Sequence, residues 1–191
     1  MFSSSLGARS EERLCKLLEG EKVNLRIMER EDLPIVKEWV NDHKFMGEYE
    51  PIFQETKESL EKQYDQLTEG QWFFIEKKDG IKIGYMCHYL AGAKLTEIGY
   101  ALVPSERGKG YGTEAVKIIV DYLFLSKNTP RIQVQTDEEN MASHRILEKS
   151  GFKKEGIIRK SFFFRGEWRD QALFSILREE WKEPGILSTK A

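Results

Sequence analysis

Cysteine occurs only twice in the 191 residues, at Cys15 and Cys87, and histidine three times, at His43, His88 and His144. Two cysteines cannot build a disulfide framework, and these spacings make no structural zinc cluster, so no metal is expected and a reducing compartment fits. There is also no apolar run long enough to cross a bilayer, and no Pro/Gly/Ser-rich linker that would divide the chain. The opening "MFSSSLGARSEERLCKLL" lacks the apolar stretch of a signal peptide, and Glu11 and Glu12 are out of place in an organelle transit sequence. A cytoplasmic location without a membrane partner is therefore expected. Neither sign of charge dominates: 30 basic residues against 32 acidic ones leave a net charge of -2. That balance gives no global basic footprint, so nucleic acid is not an expected partner and any anion site must be local.

What is present suffices for one core, with 40% hydrophobic residues. The expected organisation is an N-terminal extension over 1–18, partly disordered or helical, a single domain over 19–184, and a tail over 185–191. "KVNLRIM" at 22–28 alternates Val23, Leu25 and Ile27 with polar residues, the period of a half-buried strand. Leu33, Val36, Trp39 and Val40 then recur at helical spacing, as do Leu60, Tyr64 and Leu67 within 56–67. "QWFFIEKKDGIKIGYMCHYL" reads as a hairpin turning at Asp79-Gly80, because both residues tolerate positive φ. Further strands are expected at 95–103 and 131–137. Helices are expected at 113–125 and 140–149, the latter ending near Gly151. Two final strands, about 155–164 and 170–177, should turn at Arg165-Gly166.

The chemistry is concentrated in "ERGKGYGTEA" at 106–115. A phosphate-binding P-loop needs four residues between its glycines and then Lys-Ser/Thr; here Gly110-Tyr111-Gly112 runs into Thr113-Glu114. A dinucleotide fingerprint fits by letters, with Asp137 as the ribose acid. Six residues, however, separate Val103 from Gly110, and the chain after Asp137 is too short for further βαβ units. A third spacing, Arg107-x-x-Gly110-x-Gly112, would let backbone N–H groups converge on a phosphate at a helix start, with Arg107 and Lys109 adding charge. A plain glycine-rich turn with solvated charges is the remaining alternative.

The third spacing resembles the acyl-CoA pyrophosphate loop of the GNAT N-acetyltransferase superfamily. "EGEKVNLRIMEREDLPIVKEWVND" is similar to the opening of its RimJ/RimL-like branch, and "ENMASHRILEKSGFKKEGIIRKSFFFRGEWRDQALFSILREEW" to its closing half, so the likeness runs from about Glu19 to Trp181. The resemblance implies an α+β fold: a mixed, mostly antiparallel sheet of about seven strands flanked by helices, with strands four and five splayed to admit the pantetheine arm. It implies acetyl-CoA as cosubstrate and direct attack by an amine. The donor would contact Ala101, Leu102, Val103, Arg107, Gly108, Lys109, Gly110, Tyr111, Gly112, Thr113 and Asn140, with oxyanion donors among the N–H groups of 101–103.

For catalysis, Glu97 matches the family's carboxylate base, and an ordinary exposed strand carboxylate is the alternative. Many relatives protonate the thiolate with the tyrosine of Tyr-x-Lys-x-Gly-Phe; here Leu147 stands in its place. Ser143 matches a serine given that role in the RimL-like branch, against the alternative of a helix N-terminal residue making only backbone bonds. Asn140 has the same two readings, donor contact or helix cap. Cys87 and His88 are strand neighbours that point to opposite faces and should not pair. Asp42, Glu48 and Glu50 could draw a cationic amine or could be solvated loop charges. The resemblance allows a protein N-terminus such as that of a ribosomal protein, a polyamine or an aminoglycoside-type amine as acceptor, and a homodimer. Loss of the tyrosine keeps a second class open, a non-catalytic acyl-CoA-binding sensor or interaction module.

Overall fold

The computed structural model describes residues 18–67, 69–92 and 95–186. Among these, seven strands form one sheet: β1 (Val23–Ile27), β2 (Gln71–Lys77), β3 (Lys82–Ala91), β4 (Leu95–Leu102), β5 (Arg131–Asp137), β6 (Lys153–Phe164) and β7 (Glu167–Leu177). Their order is β1-β2-β3-β4-β5-β7-β6. Every neighbouring pair is antiparallel except β4 and β5. This is the expected α+β architecture. The extension over 1–17 and the end of the tail lie outside the described residues. Leu18 is buried in the core, and the N–H groups of Gly185 and Ile186 donate to Asp121.

Among the described residues five α-helices cover the two faces. On one face lie α1 (Leu33–Val40), α2 (His43–Met46) and α3 (Lys57–Gln66), whose Val36, Phe45 and Leu60 pack with Phe74 of β2. On the other, α4 (Tyr111–Ser126) and α5 (Met141–Lys149) pack with Val23, Phe73, Ile98, Val134 and Phe174. Strand alternation divides the apolar residues between the faces: Phe73 goes to α4 and Phe74 to α1. Each such side chain removed from water contributes roughly 1.5–3 kcal/mol.

The turns show which local signals held. Arg165 and Gly166 both have positive φ, 53° and 88°, as a two-residue hairpin turn requires. At the β2–β3 hairpin only Gly80 does, at 81°. The closing bond runs from the Lys77 N–H to Ile81 O at 3.0 Å, so the turn is wider than the two-residue form expected, and the Asp79 carboxylate accepts from the Ile81 N–H. α2 was not anticipated. Its single turn is started by Asp42, whose carboxylate accepts from the Lys44 N–H, and four residues are too few for periodicity to register.

Candidate active site

β4 and β5 pair only at Thr96↔Ile132 and Glu97↔Gln133, although β5 continues to Asp137 alongside β7. Beyond Glu97 the two central strands part, leaving a gap whose walls are strand edges. The Val103 N–H donates to Ile83 O at 2.9 Å. Antiparallel alternation then turns the backbone of Ala101 toward β3 as well, and directs that of Tyr100 and Leu102 into the gap. The expectation that N–H groups across 101–103 serve the donor is thus corrected: those of Ala101 and Val103 are committed to the sheet, and Leu102 alone of the three presents its N–H. Edge groups of this kind can pair with amides of an extended ligand.

The glycine loop closes one end of the gap. Gly108 and Gly110 have φ of 78° and 87°, conformations that side chains strain to adopt. Gly110 is the N-cap of α4 and no side chain caps the helix. The first helical bond is from the Glu114 N–H to Gly110 O, so the N–H groups of Tyr111, Gly112 and Thr113 point out of the helix start. Together with the helix dipole they suit a phosphate. Gly112 permits close packing beneath, since a Cβ there would come within 3.0 Å of Ile146 Cδ1.

The charges around the loop are arranged differently from expectation. Arg107 Nε donates to Leu102 O at 3.0 Å and Nη2 donates to Phe45 O, and burial lowers its pKa. Arg107 therefore braces the loop against β4 and α2, reaching an anion mainly through its field. Lys109 is half exposed and pairs with Glu106 at 2.9 Å. Tyr111 lines an open depression of about 500 Å³ with Lys22, Lys77, Lys78, Asp79 and Lys109. Thr113 O accepts from Ser150 Oγ at 3.4 Å.

Glu97 lies where the strands part, and it is buried, not exposed. Its Oε1 accepts from Tyr89 Oη at 2.9 Å and its Oε2 from Gln133 Nε2 at 3.0 Å, with Gln135 Nε2 at 3.5 Å. All three partners are neutral. Burial, then the Glu97 charge, raises the Tyr89 pKa, so the phenol remains a donor. On the α5 side, Ser143 donates its N–H to Asn140 Oδ1 at 3.1 Å, and its Oγ lies 2.9 Å from Tyr100 Oη. The helix-cap reading of Asn140 is therefore realised in its side-chain oxygen. Ser143 makes more than backbone bonds.

Leu147 is fully buried in the core. Cys87 and His88 do point to opposite faces: His88 packs with Phe73 and Tyr122, and Cys87 Sγ stands 3.3 Å from where a Gly99 Cβ would be. Burial pushes the Cys87 thiol up to about 12, which removes it as a thiolate nucleophile at neutral pH. Among the described residues no group of three or more His, Cys, Asp or Glu could hold a metal ion. No helix among them is long and apolar enough to cross a membrane.

The gap, glycine loop and buried carboxylate coincide with a family match. The profile of the acetyltransferase (GNAT) domain matches residues 22–153. The chain belongs to the GNAT acetyltransferase family. Among curated proteins it is similar to the probable N-acetyltransferase YjcK of Bacillus subtilis, 43% identical over 83 residues covering 44% of this chain and 46% of that protein. It is also similar to the uncharacterized N-acetyltransferase p20 of Bacillus licheniformis, 30% identical over 84% of this chain and 96% of that protein. The solved spermidine N-acetyltransferase of Vibrio cholerae, in complex with CoA and spermine, superposes with a TM-score of 0.76 at 24% identity, covering 85% of this chain and 99% of that one. At that identity the likeness is one of fold.

In this GNAT chain the second wall of the site was not foreseen from sequence. Tyr89, Gln133, Gln135 and Tyr100 all sit on strands, where each reads as one position of an alternation. The available signal was the pair of glutamines at 133 and 135, which flank the core residue Val134 and alternate with Ile132. The mouth of the site is the loop after α2. Asp42 is spent on capping, and Glu48 is exposed. Glu50 remains reached by solvent, yet protein surrounds it; burial, helped by the Asp137 charge, lifts its pKa to about 7. Arg165, from the β6–β7 turn, donates to Gly47 O at 2.6 Å and to Glu50 O at 3.4 Å, clasping that loop over the cleft. Asp137 itself is taken up by Arg169 at 2.9 Å.

Proposed function

We propose that this protein transfers the acetyl group of acetyl-CoA to a primary amine by direct attack within a ternary complex. The observation that carries the reading is the parting of β4 and β5 immediately beyond the buried Glu97, with uncapped helical N–H groups at the end of the gap. The residues fit the donor. Leu102 and Tyr100 offer backbone groups to an extended arm, and Tyr111, Gly112 and Thr113 offer N–H groups to a pyrophosphate. Acetyl-CoA supplies an activated thioester. Glu97 takes the amine's proton, directly or through a water, and the Leu102 N–H is the available backbone donor to the developing oxyanion.

The acceptor side favours a cation. Trp72 stacks on Tyr85 at 6.0 Å, and these two partly exposed rings lie on the sheet face that carries Glu97. Aromatic faces and carboxylates together attract alkylammonium groups. A polyamine arm or a protein N-terminus satisfies this chemistry, the latter in keeping with the RimJ/RimL-like pattern of the closing half and with a cytoplasmic location. The test is release of CoA thiol from acetyl-CoA against a panel of peptides, polyamines and aminocyclitols. Turnover with a cationic amine is expected. CoA binding by calorimetry with no turnover across the panel would replace this reading with the acyl-CoA-binding module, which the loss of the family tyrosine at Leu147 favours.

A further inference from the structure

A departing thiolate needs a proton, and the position that supplies it in many relatives is here an apolar core residue, Leu147. The groups nearest that task are a pair of hydroxyls. Tyr100 Oη and Ser143 Oγ lie 2.9 Å apart, one from β4 and the other from the first turn of α5. Ser143 is 9% exposed, and its main chain is pinned by the Asn140 cap, which fixes where the hydroxyl stands. Tyr100 is three residues beyond Glu97 on the same strand, so its side chain leaves the opposite face of the sheet. A thioester drawn along the β4 edge would have the carboxylate on one side and the two hydroxyls on the other.

We propose that Tyr100 is the positioning and proton-relay partner of Ser143, whose hydroxyl protonates the sulfur of the departing coenzyme. The inference rests on the acetyl-transfer reading above. In the step, the amine nitrogen bonds to the thioester carbon and loses its proton to Glu97. As the C–S bond breaks, its electron pair goes to sulfur, which takes the Ser143 Oγ proton while Ser143 Oγ takes the Tyr100 Oη proton. The phenolate recovers a proton from solvent and Glu97 returns one to it, so the balance is amine plus thioester to amide plus thiol. Burial raises the Tyr100 phenol to about 12, opposed by the bond to Ser143, so the proton is in place at neutral pH. A phenol is a stronger acid than an aliphatic alcohol, which makes the coupled transfer less uphill than donation from Ser143 alone.

The experiment compares wild type, Tyr100→Phe, Ser143→Ala, Ser143→Thr and the Phe/Ala double variant. General acid catalysis predicts that Tyr100→Phe and Ser143→Ala each lower kcat by roughly ten- to a hundredfold with KM for acetyl-CoA little changed. Two members of one relay should also give a double variant no slower than the slower single, and Ser143→Thr should restore most of the rate. The second readout is the thiol of bound CoA, titrated by its thiolate ultraviolet absorbance. Its apparent pKa should rise in Tyr100→Phe, because the thiolate loses a donor. Wild-type kcat with an unmoved thiol titration in Tyr100→Phe, or effects that simply multiply in the double variant, would overturn the relay. If wild type binds CoA but acetylates no amine, the transfer reading fails. The thiol titration then still decides whether the two hydroxyls address the sulfur.

Discussion

Two carboxylates of this protein, the partly buried Asp32 and the buried Glu97, are held in opposite ways. Asp32, just before α1, accepts from Arg26 Nη2 at 2.9 Å, from Lys82 Nζ at 3.0 Å and from the Glu29 N–H at 3.0 Å. Burial would raise its carboxyl, but the Arg26 bond, the Glu29 N–H and Lys82 together hold it down at about 2. Glu97 is more enclosed, yet its partners are a phenol and two amides. A carboxylate clamped between cations cannot take a proton without breaking ion pairs, so Asp32 is architecture, tying β1, β3 and the turn before α1. One held by neutral donors can exchange a proton while its position is kept. The difference separates structural acid from candidate base without reference to any relative.

The largest expected effect is at Glu97 itself. Glu97→Gln keeps the amide–phenol network but removes the base, and turnover should fall by about a hundredfold, as for loss of a general base, with acetyl-CoA affinity little changed. Steady-state kinetics across pH measure this, and the rise of turnover with pH should flatten; unaltered turnover takes Glu97 out of the mechanism. Making Glu97 resemble Asp32 is the next test. Gln135→Lys would place an ammonium beside Oε2, holding the carboxylate ionised, and should slow turnover about tenfold while shifting the acid limb of the rate profile to lower pH.

The converse change, Asp32→Asn, should leave the chemistry intact and cost stability on the order of 1–2 kcal/mol at neutral pH. Because the folded carboxyl is depressed, this contribution is present above pH 4 or so and disappears as pH falls toward 2. Urea unfolding of both proteins at pH 7 and pH 3 checks it; a pH-independent difference would show that the clamp is not electrostatic. The smallest effect is at Glu50, whose raised pKa of about 7 makes it an anion only on the alkaline side. The KM of a cationic acceptor should fall roughly two- to fivefold more steeply between pH 6 and 8 in wild type than in Glu50→Gln, the size of an accessible ion pair. Parallel profiles would remove Glu50 from acceptor binding.

The parts legible in the sequence were those governed by local periodicity and by backbone chemistry. β5 falls at 131–137 as its alternation indicates, and the β6–β7 turn at Arg165-Gly166 takes the two positive φ values those residues allow. The glycine loop was readable because glycine at a positive φ before a helix leaves few alternatives. α4 begins at Tyr111, earlier than the apolar pattern suggested, because its first turn is set by the Gly110 cap and its residues, Tyr111, Gly112, Thr113 and Glu114, carry no aliphatic side chain to register in that pattern. Arg107 read as a charge for the ligand, whereas two carbonyls, Leu102 and Phe45, take its donors. Phe45 is 62 residues away in sequence, and no local pattern reports such a partner.

By itself the sequence determined the seven strands and the longer helices, where the anion loop lies and which residue occupies the family's acid position, since all of these depend on neighbours within a few residues. Only the tertiary structure decided that Glu97 is enclosed by neutral donors, that Leu102 alone among 101–103 offers its N–H, and that Tyr100 meets Ser143. Those outcomes follow from sheet register and from the parting of β4 and β5, which bring residues 36–43 positions apart into hydrogen-bonding distance.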